Sequence, residues 1–329
     1  MSEKLLEIKD LYVQYNTGQS PVKAVNGVNL SVNNGEAIGL VGETGAGKTT
    51  TALSIMQLIP DPPGKITGGS IFFEGQDLNK LAAADLRKIR GRKISMIFQD
   101  PMTSLNPIMT VGSQVEEVIL LHEKINRMDA SVKAMEMLKK VGIMEERFND
   151  YPHQFSGGMK QRAVIAMAIA CNPMLLIADE PTTALDVTIQ AQVLDLIESL
   201  QKEFNTSMLL ITHDLGVVAE NCDKAAIMYA GEIVEFGTLD QVYNRTKHPY
   251  TLGLFNSIPN YNEDVERLQP IRGLMPDPSN LPAGCSFASR CPLTTEECGK
   301  GDIPVVVVEP GHTVKCLNCH SHMVSANVE

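Results

Sequence analysis

A segment that could bind phosphate lies between Ile38 and Thr50 and reads IGLVGETGAGKTT. A short apolar run predicts a buried strand, which ends at Gly42. The spacing then fits G-x-x-x-x-G-K-[ST], filled by Gly42, Gly47, Lys48 and Thr49. Glycines let several backbone N–H groups converge, and the positive end of a following helix adds to their attraction for an anion. Lys48 is expected to reach the β- and γ-phosphates of a nucleotide, and the Thr49 hydroxyl to bind Mg²⁺.

Carboxylates that could complete this chemistry follow a second apolar run, Leu175 to Glu180, which reads LLIADE. A strand that ends in acid beside a phosphate loop typically supplies a residue that directs Mg²⁺, here Asp179. Glu180 could take a proton from water. The alternative is that the acidic pair only begins a helix. Gln99 and His213 also end apolar runs, although a lone histidine is more often structural.

The elements that position these residues alternate between strand and helix. Residues 4–33 have the composition of antiparallel strands, and a helix is expected from about Gly47 to Met56. Residues 111–149 show helical spacing and predict a helical insertion. Ser156 is placed to cap a helix that ends near Ala170, and Asp186 to cap the amphipathic helix after it. These patterns predict an α/β fold with a parallel sheet.

Composition limits the classes of function. The chain has 329 residues, of which 43% are hydrophobic and 20% charged, and a net charge of −11. An acidic surface repels a polyanion, so we expect no nucleic-acid partner. The start, MSEKLLEIKD, lacks an apolar signal sequence, and Asn172-Pro173 interrupts the longest apolar stretch. We therefore expect a cytoplasmic protein that works at a membrane only through a partner.

Six motifs in order resemble the nucleotide-binding subunits of ATP-binding cassette (ABC) transporters. They are GETGAGKT at Gly42 to Thr49, Gln99, SGG at Ser156 to Gly158, LLIADE, ALD at Ala184 to Asp186, and His213. The resemblance covers about residues 4–245. It implies an ABC-type P-loop core with an N-terminal antiparallel β-subdomain and a helical subdomain at about 101–160. The signature here reads FSGGM, where the family usually has LSGGQ.

The resemblance implies a role for each matching residue. Glu180 would be the general base, His213 would contact the γ-phosphate, and Thr49, Gln99 and Asp179 would bind Mg²⁺. Spacing alone favours Tyr15 as a packed strand aromatic, but the resemblance makes it the residue that stacks on adenine. The nucleotide-binding set is Tyr15, Gly42, Thr44, Gly45, Ala46, Gly47, Lys48, Thr49, Thr50, Ser156, Gly157, Gly158 and Asp186.

The family also implies partners. Ser156 and Gly158 would reach the γ-phosphate bound by a second cassette in a head-to-tail dimer. A helix N-terminus with a capping serine suits that anion. The second ATPase is expected to be a different chain, although a homodimer remains open. Two membrane-spanning permease subunits and, indirectly, a solute-binding protein would complete the assembly at the cytoplasmic face of the membrane.

A narrower resemblance covers the rest of the chain. QDPMTSLNP, FSGGMKQR and HPYTLGLFNSIP are similar to segments of the ATPase subunits of oligopeptide and dipeptide importers. This predicts an ABC ATPase domain at 1–245, a C-terminal extension at 246–329, and ATP hydrolysis that powers peptide import. Nickel or glutathione import, or a soluble cassette ATPase acting on ribosomes or DNA, is the alternative.

Cysteines are concentrated in the extension. Five of the seven lie there, at Cys285, Cys291, Cys298, Cys316 and Cys319. Their spacing does not give zinc-finger pairs, but four thiolates in a loop-rich segment could hold a [4Fe–4S] cluster. The importer resemblance, through the pattern G-C-x-F-x-x-R-C, implies the ligands Cys285, Cys291, Cys298 and Cys316, with Cys319 as a rival for the last. Zinc, or reduced thiols in a small apolar cluster, are the alternatives. Cys171 and Cys222 are expected to be buried thiols.

Overall fold

The computed structural model describes residues 4–18, 20–183, 185–257 and 271–319. Their strands are β1 Lys4–Asn16, β2 Pro21–Asn33, β3 Ala37–Val41, β4 Gly64–Phe73, β5 Gln76–Asp77, β6 Ile94–Ile97, β7 Leu175–Asp179, β8 Ser207–Thr212, β9 Lys224–Tyr229, β10 Glu232–Thr238, β11 Val306–Glu309 and β12 His312–Val314. Their α-helices are α1 Lys48–Ile55, α2 Ala83–Ile89, α3 Pro101–Ser104, α4 Val111–His122, α5 Arg127–Lys140, α6 Gly157–Ile169, α7 Val187–Phe204, α8 Leu215–Asn221, α9 Leu239–Tyr243 and α10 Pro249–Asn256. The predicted α/β class is confirmed.

The chain forms two compact units, each built from several segments. Unit 1 comprises Met1–Leu6, Val32–Ala37 and Phe73–Ile211, and unit 2 comprises Glu7–Ser31, Ile38–Phe72 and Thr212–Glu329. Within the described ranges, no helix is both long enough and apolar enough to cross a bilayer. The sequence boundary at residue 245 stays a prediction.

Unit 1 contains three parallel strands, in the order β6, β7, β8. Every residue of β7 is buried, as is typical of a parallel strand with both faces covered. The predicted helical insertion is present as α4 and α5. Helix α7 buries Val193, Leu194, Ile197 and Leu200 on one face, in agreement with the predicted amphipathic helix. A short helix, α3, follows Asp100.

Unit 2 contains β3, which pairs in parallel with β9, and the antiparallel pair of β9 and β10. Strands β9 and β10 thus form a β-hairpin. Strand β12 pairs with β10, and β11 pairs with β12, both antiparallel. This second hairpin was not predicted, because Val306–Glu309 and His312–Val314 are too short for a clear alternation pattern. It joins the cysteine-rich segment to the sheet of unit 2.

Aromatic side chains form the centre of the core of unit 2. Tyr229, Tyr250 and Phe287 are each at most 2% exposed. The ring centroid of Tyr229 lies 4.6 Å from that of Tyr250 and 5.3 Å from that of Phe287. Val41, the last residue of β3, belongs to the same cluster. Residues from the C-terminal extension are thus packed into the core that supports the segment beginning at Gly42.

Candidate functional site

The segment between β3 and α1 is a glycine-containing turn that leads from a buried strand into a helix. Strand β3 is buried throughout and ends at Val41, and α1 begins at Lys48. Among the described residues, no side chain caps the first turn of α1, and that turn contains no acidic residue. The positive end of this helix dipole therefore faces no acidic side chain of its own first turn, which favours an anion there. We call Gly42–Gly47 the phosphate loop.

Glycine is required at two positions of this loop. A Cβ atom at Gly42 would lie 2.1 Å from the carbonyl oxygen of Met228. Gly47 has a φ of +103°, and a Cβ there would lie 2.4 Å from the carbonyl oxygen of Ala24. Any larger residue would displace backbone, so the close packing of the loop fixes its curl.

Lys48 brings a positive charge to the phosphate loop. The side chain is 6% exposed, and its Nζ donates hydrogen bonds to the carbonyl oxygens of Gly42 at 2.6 Å and Glu43 at 3.1 Å. Thr44 and Thr49 are exposed. The N–H cradle and the ammonium group fit the phosphates of a nucleotide, and the exposed Thr49 hydroxyl offers the hard oxygen ligand that Mg²⁺ prefers.

The carboxylates of unit 1 follow β7. Asp179 is 1% exposed and lies opposite Ile211 of β8. Glu180 has a φ of +44°, which is uncommon for a residue with a side chain. Its N–H donates to the carbonyl oxygen of Ile211 at 2.8 Å. Strain of this kind concentrates at functional sites, where the surrounding structure holds it.

Two side chains orient the carboxylate of Glu180. Its Oε2 accepts hydrogen bonds from Gln99 Nε2 at 3.0 Å and from Thr183 Oγ1 at 2.9 Å. The structure therefore brings together two of the predicted site residues, Gln99 and Glu180. Thr183 was not predicted, although its position three residues after Glu180 is a signal that could have been used. A fixed, half-buried carboxylate suits a general base.

The signature segment forms the start of α6. Ser156 is exposed, and its hydroxyl accepts from the N–H of Met159 at 3.4 Å, so the predicted cap is present. Gly158 has no space for a side chain, because a Cβ would lie 2.7 Å from Cγ2 of Ile189. This helix therefore begins at an exposed residue.

Gln161 is a residue of α6 that the sequence analysis missed. It is fully buried, and its Nε2 donates to the carbonyl oxygen of Pro181 at 2.5 Å. Pro181 directly follows Glu180, so this bond connects α6 to the segment that contains Glu180. No sequence signal distinguishes Gln161 from other polar residues, because its partner lies twenty positions away.

The other predicted residues occupy separate places. Asp186 caps α7 by accepting from the N–H of Ile189 at 3.0 Å, as predicted. Ala184 lies outside the described residues. His213 is exposed and directly follows β8. Tyr15 is half-buried against Gly64, where an added Cβ would lie 2.6 Å from its Cε1. Its role in stacking on adenine stays a prediction.

The predicted iron–sulfur cluster needs correction. Cys285, Cys291, Cys298 and Cys316 line one pocket together with apolar side chains such as Phe287. In the part of the chain that the structure describes, no group of three or more His, Cys, Asp or Glu residues could hold a metal ion. The prediction of a [4Fe–4S] ligand set is therefore wrong, and zinc gains no support.

Burial raises the pKa values of several of these thiols. It raises the pKa of Cys316 to about 11 and also raises the pKa of Cys285 and of Cys291. With no metal ion bound, burial therefore favours the neutral form of these thiols. The remaining alternative, reduced thiols in a small apolar cluster, agrees with this arrangement. Cys171 and Cys222 are half-buried, and burial raises their pKa values to about 11 and about 12.

Comparison with known families gives two matches along the chain. A family model described as "ABC transporter" matches residues 25–183. A second model, described as "Oligopeptide/dipeptide transporter, C-terminal region", matches residues 234–298. The first range includes the phosphate loop and the Glu180 segment. The second includes most of β10, all of α10 and the first three cysteines of the extension.

Similar proteins extend over nearly the whole chain. The oligopeptide transport ATP-binding protein AppD of Bacillus subtilis is 48% identical over 315 residues, covering 95% of this chain and 96% of that protein. The dipeptide transport ATP-binding protein DppD of the same organism is 48% identical over 316 residues, covering 95% and 94%. Among solved structures, the dimeric ATP-binding cassette MJ0796 in a post-hydrolysis state bound to ADP and Pi is 30% identical. Its TM-score is 0.64, and the match covers 71% of this chain and 98% of that one.

Proposed function

The chain belongs to the ATP-binding subunits of ABC transporters, in the oligopeptide/dipeptide group, and we propose that it hydrolyses ATP to power peptide import through separate permease subunits. Relatives at 48% identity that bear oligopeptide and dipeptide transport names support the substrate class. The C-terminal family match supports the same group. The main structural support for the ATP site is the start of α1, which no described side chain caps. Beside it, the Lys48 ammonium donates a hydrogen bond to the Gly42 carbonyl of the phosphate loop.

Each part of the site has a distinct role in the reaction. The β- and γ-phosphates are held by the phosphate loop, which contains Thr44, Gly45 and Ala46, and by Thr50 and the Lys48 ammonium. Tyr15 stacks on the adenine ring. Thr49, Gln99 and Asp179 would hold Mg²⁺, which would neutralise charge on the phosphates.

Glu180 acts on the attacking water. Its carboxylate accepts a proton as the water oxygen bonds to the γ-phosphorus, and the bond from that phosphorus to the β,γ-bridging oxygen breaks. ADP and inorganic phosphate are the products. The hydrogen bonds from Gln99 and Thr183 hold the carboxylate in one orientation, which lowers the entropy lost in reaching the reactive arrangement. His213 contacts the γ-phosphate.

The exposed signature segment defines the partner. Ser156, Gly157 and Gly158 present a helix N-terminus to the γ-phosphate bound by a second cassette, expected to be a different chain, and Asp186 belongs to the same binding set. ATP binding closes the two cassettes on each other, and hydrolysis reopens them. Two permease subunits convert this motion into transport. The subunit is thus bound peripherally at the cytoplasmic face of the membrane, and a solute-binding protein delivers the peptide.

Replacing the base tests the assigned chemistry. In the assembled transporter, Glu180→Gln is expected to lower kcat for ATP by about 10³-fold while ATP still binds, because the amide cannot accept the proton. Glu198→Gln is the control, since Glu198 forms a surface ion pair with Lys202 on α7. Hydrolysis by Glu180→Gln at the wild-type rate would refute the assigned base.

Capture of the assembly tests the transport function. Tagged Glu180→Gln is incubated with ATP in gently solubilised membranes from its source, and bound proteins are identified by mass spectrometry. We expect two permease subunits and a second ATPase, together with a peptide-binding protein. Ribosomal or DNA-repair proteins without a permease would contradict the transport function.

A further inference from the structure

Glu43, the second residue of the phosphate loop, contacts two distant parts of the C-terminal extension. Its Oε2 accepts a hydrogen bond from Arg290 Nη1 at 3.0 Å. Its backbone N–H donates to the hydroxyl of Tyr250 at 3.1 Å. Arg290 belongs to the G-C-x-F-x-x-R-C pattern and Tyr250 to the HPYTLG segment, so both C-terminal motifs converge on one loop residue.

Arg290 is held rigidly where it meets the loop. Its side chain is 6% exposed, whereas that of Glu43 is 31% exposed. The Nε donates to the carbonyl oxygen of Arg272 at 3.1 Å, and Nη1 also lies 3.3 Å from the hydroxyl of Tyr229. The guanidinium carbon lies 5.7 Å from the ring centroid of Tyr229 and 6.0 Å from that of Phe287. A planar guanidinium held by hydrogen-bond acceptors and by ring faces behaves as a preorganised contact, unlike a flexible surface ion pair.

Tyr250 is equally constrained. It is fully buried, and its ring centroid lies 4.6 Å from that of Tyr229 and 5.4 Å from that of Phe287. Burial raises the pKa of the Tyr250 hydroxyl, which therefore stays neutral at physiological pH. The hydroxyl presents a fixed oxygen to the N–H of Glu43.

Glu43 also connects this contact to the phosphate-binding lysine. Its carbonyl oxygen accepts from Lys48 Nζ at 3.1 Å, and the same ammonium donates to the carbonyl of Gly42 at 2.6 Å. The peptide groups on either side of Glu43 therefore bond to Tyr250 and Lys48, while its carboxylate bonds to Arg290. Moving Glu43 would move both the loop N–H groups and the ammonium.

We propose that Arg290 and Tyr250 are positioning residues that hold the phosphate loop in its nucleotide-binding conformation, so that the C-terminal extension sets the affinity for ATP. This inference rests on the proposed binding of phosphate by the loop. A loop fixed in advance loses less conformational freedom when the nucleotide binds. By linkage, a nucleotide that favours this loop conformation also favours the packed state of the extension.

The test measures the binding of a fluorescent nucleotide, mant-ATP with Mg²⁺, to the full chain. Arg290→Gln, Tyr250→Phe and Glu43→Gln are each expected to raise the Kd about five- to tenfold, within the usual range of coupling between sites. The double variant Glu43→Gln/Arg290→Gln is expected to bind no more weakly than the weaker single variant, because both changes remove one contact.

Lys315→Met is the matched control. Lys315 forms a half-buried ion pair that joins the extension to Glu232 of β10 instead of to the phosphate loop. The thermal unfolding midpoint is measured for every variant. A purely structural role for Arg290 and Tyr250 would lower the midpoint and leave the Kd at the wild-type value, which would overturn the inference. If Arg290→Gln does not fold, Tyr250→Phe and Glu43→Gln decide the question, since they change only a hydroxyl or a charge.

Lys48→Ala distinguishes failure of this inference from failure of the proposed site. If Lys48→Ala loses mant-ATP while the Arg290, Tyr250 and Glu43 variants bind as the wild type does, the phosphate loop is assigned correctly and the positioning role is wrong. If Lys48→Ala binds normally, the loop does not hold the phosphates, and the positioning role is refuted together with that assignment.

Discussion

The phosphate loop and the cysteine pocket were both predicted from the spacing of a few residues, but only the phosphate loop has the structure that its spacing predicts. The loop acts through its backbone, and its glycines occupy positions where φ is positive or where a Cβ would overlap a carbonyl oxygen. The cysteines act through side chains, whose chemistry depends on surroundings that the spacing does not describe. In an apolar pocket, burial favours the neutral thiol. A motif is thus most reliable when a few consecutive residues determine its geometry.

The largest expected effect is on the cysteine side of this comparison. Phe287→Ala removes a ring that is 2% exposed and packs against Tyr229 and Tyr250. We expect it to lower the free energy of unfolding by about 3–5 kcal/mol, through lost burial and the cavity that remains. Chemical denaturation of the full chain measures this.

Leu317→Ala is the control, because Leu317 lines the same pocket but is 41% exposed. Its expected loss is below about 1 kcal/mol, as for most exposed positions. Equal losses for the two variants would show that the aromatic cluster does not stabilise this region.

The next effect is on the loop side. Gly47→Ala places a Cβ 2.4 Å from the carbonyl oxygen of Ala24 at a φ of +103°. We expect the Kd for mant-ATP to rise about 100-fold, or ~3 kcal/mol, because the loop must shift away from its binding conformation.

The Gly75→Ala variant separates the effect of steric overlap at the added Cβ from the effect of a positive φ. Gly75 also has a positive φ, of +74°, but no atom lies within 4 Å of an added Cβ. Its variant should bind mant-ATP as the wild type does and lose only about 1 kcal/mol of stability. Normal binding by Gly47→Ala would contradict the view that close packing fixes the loop.

The smallest effect concerns pH and the extension. Burial lowers the pKa of His248 from 6.5 to about 4, against the opposing charge of Glu235. The unfolded chain then binds a proton below pH 6.5 that the folded chain does not bind until about pH 4. Stability is therefore complete above pH 6.5 and falls as the pH is lowered, by about 2 kcal/mol at pH 5.

Comparison with His248→Asn isolates this contribution. Nδ1 of His248 accepts from the N–H of Tyr250 at 3.1 Å, and asparagine can retain this cap at the start of α10. The free energy of unfolding is measured from pH 7.5 to pH 5 for both proteins. We expect a smaller decrease for His248→Asn, and parallel curves would show that His248 is not buried in its neutral form.

Local patterns predicted much of the fold and of the candidate site. The caps formed by Ser156 and Asp186 and the amphipathic helix α7 were all predicted from local patterns and are present. Their contacts join residues only a few positions apart, so spacing carries the information. The strand before the phosphate loop and the helix after it were predictable for the same reason.

Long-range contacts were not predictable. Gln161 reaches Pro181, Arg290 and Tyr250 reach Glu43, and β12 pairs with β10. These contacts depend on how separate segments pack against each other. Residue spacing along a single sequence does not indicate that packing. The metal assignment failed for the same reason, since it required the environment of thiols separated by long stretches of chain.

The sequence by itself determined the α/β class, the phosphate loop and the acidic end of β7, because each depends on periodicity or on a short run of residues with restricted backbone freedom. Tertiary structure alone decided the state of the cysteines, the orientation of Glu180 by Gln99, and the contact of the C-terminal extension with Glu43. Burial and hydrogen bonding depend on neighbours brought together by folding, and these neighbours determine charge state and orientation.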